Sequence, residues 1–189
     1  MRLGRVFLFT LLALLIFVSA VSATGPATVY KVRVKTFEIW NGAQWITAFE
    51  GTSAVLDISA VNSGQSAGAF FSGLPISDGT YTKVRVTPHP IFNIQGNDGA
   101  RYTLAVNGAN GGCTYTGVAA NAAECTITLT GGNIPLAQEQ DFSATPITVT
   151  DGASNRKVRV SFDTSNSIQY QGGADEIFPA APAVTMTVE

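Results

Sequence analysis

The chain has 189 residues with 11 Lys plus Arg, 13 Asp plus Glu and a single His, so its formal net charge is -2. No basic excess exists to form a broad nucleic-acid surface, and the steady recurrence of apolar and aromatic residues, 46% and 10%, excludes a disordered polymer. Charged residues are sparse at 13%, a balance suited to an exported β protein that stays soluble through hydroxyls and amides.

The N-terminal segment sets the compartment. Arg2 and Arg5 make a short cationic start, residues 6–18 are almost unbroken in apolar character, and Val21-Ser22-Ala23 supplies small residues where a signal peptidase reads. Residues 1–23 are therefore expected to form a signal-peptide helix, leaving one domain over residues 24–189. Its removal takes Arg2 and Arg5 with it, so nine cations face thirteen carboxylates, a formal -4. The apolar run is short for a full bilayer crossing, so no stable membrane anchor is expected after processing. The product is expected to be secreted, extracellular or held at the cell surface.

Next comes the first of three copies of Lys-Val-Arg-Val, at 31–34, 83–86 and 157–160. On a strand the valines face one side and the cations the other. Tyr30, Val32 and Val34 share one phase, while Phe37 and Ile39 resume the alternation out of phase, predicting a β-bulge near Lys35-Thr36 or a bend between sheets. Asn41-Gly42 between Trp40 and Trp45 signals a hairpin. Further strands are predicted at 54–59, 68–73, 80–87, 101–106, 125–130, 145–150, 156–163 and 183–188, separated by Asp-Gly and Gly-Gly turns. Residues 136–142 are assigned at most one helical turn. The unequal spacing of the repeats argues against a solenoid or propeller. The pattern reads as all-β, an antiparallel Greek-key β-sandwich of eight to ten strands.

Cys113 and Cys125, in a chain sent to an oxidising compartment, are expected to pair and to staple a local excursion. No cofactor signature or zinc-ligand set is present. His89, between Pro88 and Pro90, reads as part of a rigid strand exit. Asp57, Asp163, Asp175 and Glu176 are the carboxylates from which a glycosidase pair could be drawn, though salt-bridging or solvated roles are the simpler reading. Asp163 with Asn166, or Asp175 with Glu176, could offer oxygens to calcium, but neither run has the density of a dedicated loop, and no metal is assigned. The candidate binding surface is a cationic strip of Lys31, Arg33, Lys83, Arg85, Lys157 and Arg159, with Lys35 beside it, if the three repeats share a sheet. Trp40 and Trp45 complete it, either as sugar-stacking rings or as a cross-strand pair that holds the turn.

Three stretches resemble a widespread family of secreted bacterial and archaeal all-β domains of unknown function. They are Val32 to Ile58 with Phe37-Glu38-Ile39 and Val55-Leu56-Asp57-Ile58; Gly73-Leu74-Pro75 followed by Asp78 to Val86; and Lys157 to Asp163 with Ser167-Ile168 and a final run from Pro179 to Val188. The resemblance implies a prealbumin-like sandwich at the cell surface and brings no catalytic residues.

These readings converge on a non-catalytic extracellular structural or adhesive protein, with a pilus-like filament subunit as its specific form: strong strands lie close to both ends, 27–39 and 183–188, and the N-terminal one, freed by signal-peptide removal, is the expected donor to a neighbouring subunit. A carbohydrate-binding module recognising a surface polysaccharide is the alternative. A secreted hydrolase with paired carboxylates comes third.

Overall fold

The computed structural model describes residues 23–60 and 76–188, and the chain is all-β. The predicted signal helix, save Ala23, and the strand expected at 68–73 lie outside the described residues. In chain order the first strands are β1 (Thr24–Gly25), β2 (Ala27–Val32), β3 (Val34–Trp40), β4 (Trp45–Glu50), β5 (Leu56–Asp57) and β6 (Gly79–Tyr81). Then follow β7 (Lys83–Pro88), β8 (Ile91–Gly96), β9 (Tyr102–Asn107), β10 (Cys113–Thr116), β11 (Cys125–Thr128) and β12 (Gln138–Asp141). The last are β13 (Ile147–Thr150), β14 (Ala153–Ser154), β15 (Val158–Asp163), β16 (Ile168–Gln171), β17 (Glu176–Pro179) and β18 (Ala183–Val188).

Two four-stranded sheets, ordered β11-β8-β2-β5 and β12-β7-β3-β4, are halves of one bent layer. The chain passes from β2 to β3 through Arg33 and from β7 to β8 through His89, and the His89 amide donates to the Arg33 carbonyl at 2.9 Å across the junction. Leu129 N to Pro90 O, 2.9 Å, and Gly51 N to Lys35 O, 2.9 Å, continue the bonding on either side. Register shifts between Val34 and Thr36 and between Phe37 and Glu38 supply the expected bulge, while the bend falls at Arg33.

The opposite layer contains a sheet ordered β1-β16-β17-β10-β9, a second ordered β14-β13-β6, and the β15–β18 pair. Alternation explains the first core. In β8 Phe92 and Ile94 are buried while Asn93 and Gln95 are not, and in β11 Cys125 and Ile127 are buried between threonines. They meet Tyr30 of β2, Cys113 of β10, Ile168 of β16 and Ile177 of β17. A second core gathers Ile39, Tyr81, Val84, Phe142 and Val149 beneath the other half of the bent layer. Each fully buried isoleucine contributes about 1.5–3 kcal/mol.

Cys113 and Cys125 are disulfide-bonded with Cα atoms 6.1 Å apart. The bond joins β10 of one layer to β11 of the other inside the first core, so it does not merely staple a local excursion: the intervening loop crosses between layers. A second correction concerns 136–142, where β12 pairs with β7 from Gln138 opposite Val86 to Asp141 opposite Lys83. Glu139 and Asp141, two residues apart, both reach the Lys83 ammonium, at 3.2 and 3.5 Å. Period two, not a helical turn, matches that cation.

The first described residues are tied to β16. Thr24 sits opposite Gln169, and the Tyr170 amide donates to the Ala23 carbonyl at 2.9 Å. The chain then crosses from β1 in one layer to β2 in the other. A Cβ on Gly96 would lie 2.4 Å from the Pro26 carbonyl oxygen and 2.6 Å from Ile168 Cγ1, which is why only hydrogen fits there. Strand 27–39 lies between its own neighbours, β8 and β5 on one half and β7 and β4 on the other.

Candidate functional site

The β3–β4 hairpin builds the outer face of the bent layer. The Asn41 side-chain oxygen accepts from the amides of Ala43 and Gln44, both at 2.9 Å, and Gly42 takes φ 94°, closing the turn. Trp40 is thereby set directly opposite Trp45, with ring centroids 5.5 Å apart and planes at 60°. On the adjacent strand Arg85 stands opposite Glu38 and, on its other side, Glu139. Arg85 Nε donates to Glu38 Oε2 at 2.8 Å and Nη2 to Oε1 at 2.6 Å, a bidentate fork. Its guanidinium lies 4.3 Å from the centroid of the Trp45 ring. The hydrogen bond from Arg85 holds the Glu38 carboxyl below its ordinary value, against the opposing effect of burial.

The repeats do not make one strip. The first straddles the β2–β3 bend, the second is on β7, and the third enters β15, whose partner is β18. Lys31 pairs with Glu124 at 2.5 Å, Lys83 with Glu139 and Asp141, and Arg85 with Glu38. Arg33, at the bend, buries Nη1 with no hydrogen-bond partner among the described residues, and Lys157 and Arg159 are exposed on the opposite layer. Of the sequence candidates, Trp40, Trp45, Lys83 and Arg85 come together on one face, joined by Glu38, Glu139 and Asp141. The first two copies fall in the bent layer, where β3 and β7 are neighbours, and only the third lies in the opposite layer, so no single sheet gathers all three.

The candidate acids are each drawn into local bonding. Asp57 Oδ1 accepts from the Tyr30 amide at 3.1 Å and from the Ser59 hydroxyl at 2.7 Å. Burial pushes its pKa up, but the bonds from Ser59 and Tyr30 outweigh that and leave it lowered. Asp163 accepts from the hydroxyl and amide of Ser165 and is lowered by both. Asp175 accepts from the hydroxyls of Tyr170 at 2.7 Å and Tyr115 at 2.8 Å. These bonds lower Asp175 and push Tyr170 up to about 12. Glu176, 3% exposed, turns the other way and accepts from the amides of Asn110 at 2.8 Å and Gly112 at 2.7 Å. His89 Nδ1 accepts from the Ile91 amide at 3.3 Å. Among the described residues no group of three or more His, Cys, Asp or Glu side chains is placed to hold a metal ion.

Two features escaped sequence reasoning. One is an aromatic clamp at the end of the five-stranded sheet: the Arg101 guanidinium lies 3.6 Å from the Tyr170 ring centroid and 5.6 Å from that of Tyr115, and is paired with Asp98 at 2.7 Å. The other is a groove of about 320 Å³ lined by Asn110, Leu129, Gln171, Ala174, Phe178 and Pro179. Its only sequence signal was the glycine-rich 108–112 loop, which reads simply as a turn.

Comparison with family models, with curated proteins and with solved structures finds no match. The prealbumin-like resemblance rests on the sequence motifs alone.

Proposed function

We propose that this chain is an extracellular structural or adhesive domain that works through the outer faces of its sandwich. The observation that carries this reading is the cross-strand patch of Trp40, Trp45, Arg85, Glu38 and Lys83, a pre-ordered surface in which the charges are matched and an aromatic ring is capped by a guanidinium. Such a face offers contact area with little ordering left to do on binding. The buried disulfide across the layers suits an oxidising compartment, and commitment of the candidate acids to local bonds supports a non-catalytic role.

Assembly into a filament is the second reading. Donation of strand 27–39 would dismantle ladders on both of its sides, whereas β18 pairs with β15 alone among the described residues, so it is the terminal strand that favours this reading. The test uses the mature protein on beads, incubated with intact cells and envelope fragments, with electron microscopy of the native material. Retention that falls for Trp40→Ala/Trp45→Ala supports the adhesive reading. Filaments support the second, and a freely soluble monomer retained by no envelope material defeats both.

A further inference from the structure

The Trp pair is poorly placed to stack a sugar, since one ring is already covered by Arg85. A different site on the molecule has the chemistry for it. We infer that the groove between the 108–112 loop and strands β16–β17 binds a neutral saccharide, an inference that rests on the adhesive reading and names its ligand class.

Among the described residues the lining contains no Lys, Arg, Asp or Glu, so a charged ligand would find no partner among them. Leu129, Phe178 and Pro179 form an apolar surface, and Asn110 and Gln171 bring side-chain amides to it. Pyranose rings present C–H faces that pack on such surfaces and hydroxyls that both donate and accept. An amide side chain also both donates and accepts.

The two amides differ in readiness. Asn110 is held in place: its Nδ2 donates to the Ala174 carbonyl at 3.2 Å and to Glu176 Oε1 at 3.1 Å. Among the described residues nothing donates to its side-chain oxygen, which is left as a fixed acceptor. Among the described residues the Gln171 side chain has no hydrogen-bond partner, although its backbone carbonyl accepts from Ala174 and Asp175. It is exposed and supplies an adaptable donor and acceptor.

Glu176 acts as a positioning residue. Buried under the loop, its carboxylate gathers the amides of Asn110 and Gly112 and the Asn110 side chain, fixing the groove wall. Gly112 completes it: a Cβ there would lie 2.7 Å from Phe178 Cζ, so the missing side chain lets that ring lie against the loop. A volume of about 320 Å³ is at the small end of the range of ~300–1,000 Å³ for ligand sites, matching a chain end or a short glycan stretch.

The test is calorimetric titration of the disulfide-bonded mature protein with cellohexaose, xylohexaose, mannohexaose and chitohexaose, with polygalacturonate as the charged comparison. Saturable binding of at least one neutral oligosaccharide is expected, weakened about tenfold or more, the equivalent of ~1.4 kcal/mol, by Gln171→Ala at unchanged circular dichroism and melting temperature. Phe178→Leu, which keeps an apolar side chain, is expected to weaken it as well. No binding of any neutral oligosaccharide, or binding indifferent to both substitutions, overturns the inference. The bead assay separates the two readings: envelope retention lost in the double Trp variant but kept in Gln171→Ala removes the groove while the adhesive reading stands.

Discussion

Gly96 shows how much one hydrogen atom decides. The crossing of β1 over to β2 places Pro26 and Ile168 against it, so Gly96→Ala must move backbone rather than a flexible side chain. A loss of about 1–3 kcal/mol is expected, measured as a shifted urea midpoint with unchanged slope. Asp175 bears on pH. Its folded pKa is lowered by the tyrosine hydroxyls, so its stabilisation is present above the unfolded carboxylate range and lost as pH falls below about 4. Tyr170 has the opposite sign: raised to about 12, it stabilises below pH ~10 and loses that contribution as pH climbs toward its folded value. Asp175 has φ 56°, a backbone region that Asn also tolerates. Asp175→Asn should therefore keep the turn yet lessen the fall in melting temperature between about pH 4 and pH 2. An acid limb identical to that of the parent would contradict this assignment.

The disulfide belongs to the scale of elements. Because it ties β10 to β11 across the first core, Cys113→Ala with Cys125→Ala should cost about 3 kcal/mol from loop entropy alone, and more where the cavity cannot collapse. A midpoint within experimental error of the parent would show that the layers hold without it. Alternation made β7, β15 and β18 legible, and Asn41-Gly42 made the β3–β4 hairpin legible, since these signals are local. β8, the most regularly buried strand, went unpredicted because prolines at 88 and 90 mask its start and Asn93 and Gln95 dilute its apolar content. β12 was misread because its sense lies in the ammonium of Lys83 on another strand. The Trp–Arg face was half visible: the rings were named, but their guanidinium cap depends on strand order. The groove was invisible, since its lining comes from the loops and strands of distant segments.

At the scale of the whole molecule, strands that run through both halves of the bent layer make two cores into one mechanical unit. Thermal unfolding followed by near-ultraviolet and far-ultraviolet circular dichroism should give coincident single transitions; two separated steps would show that the halves melt independently. The first strand adds a constraint on biogenesis. The bond after Ala23, where a peptidase is expected to cut, lies within the short ladder against β16, and the Ala23 carbonyl itself accepts from Tyr170. A protease needs its substrate extended and unpaired, so on the proposed reading, in which this bond is cut during export, the cut comes before that seam closes. A precursor allowed to mature its shape first would hide its own scissile peptide.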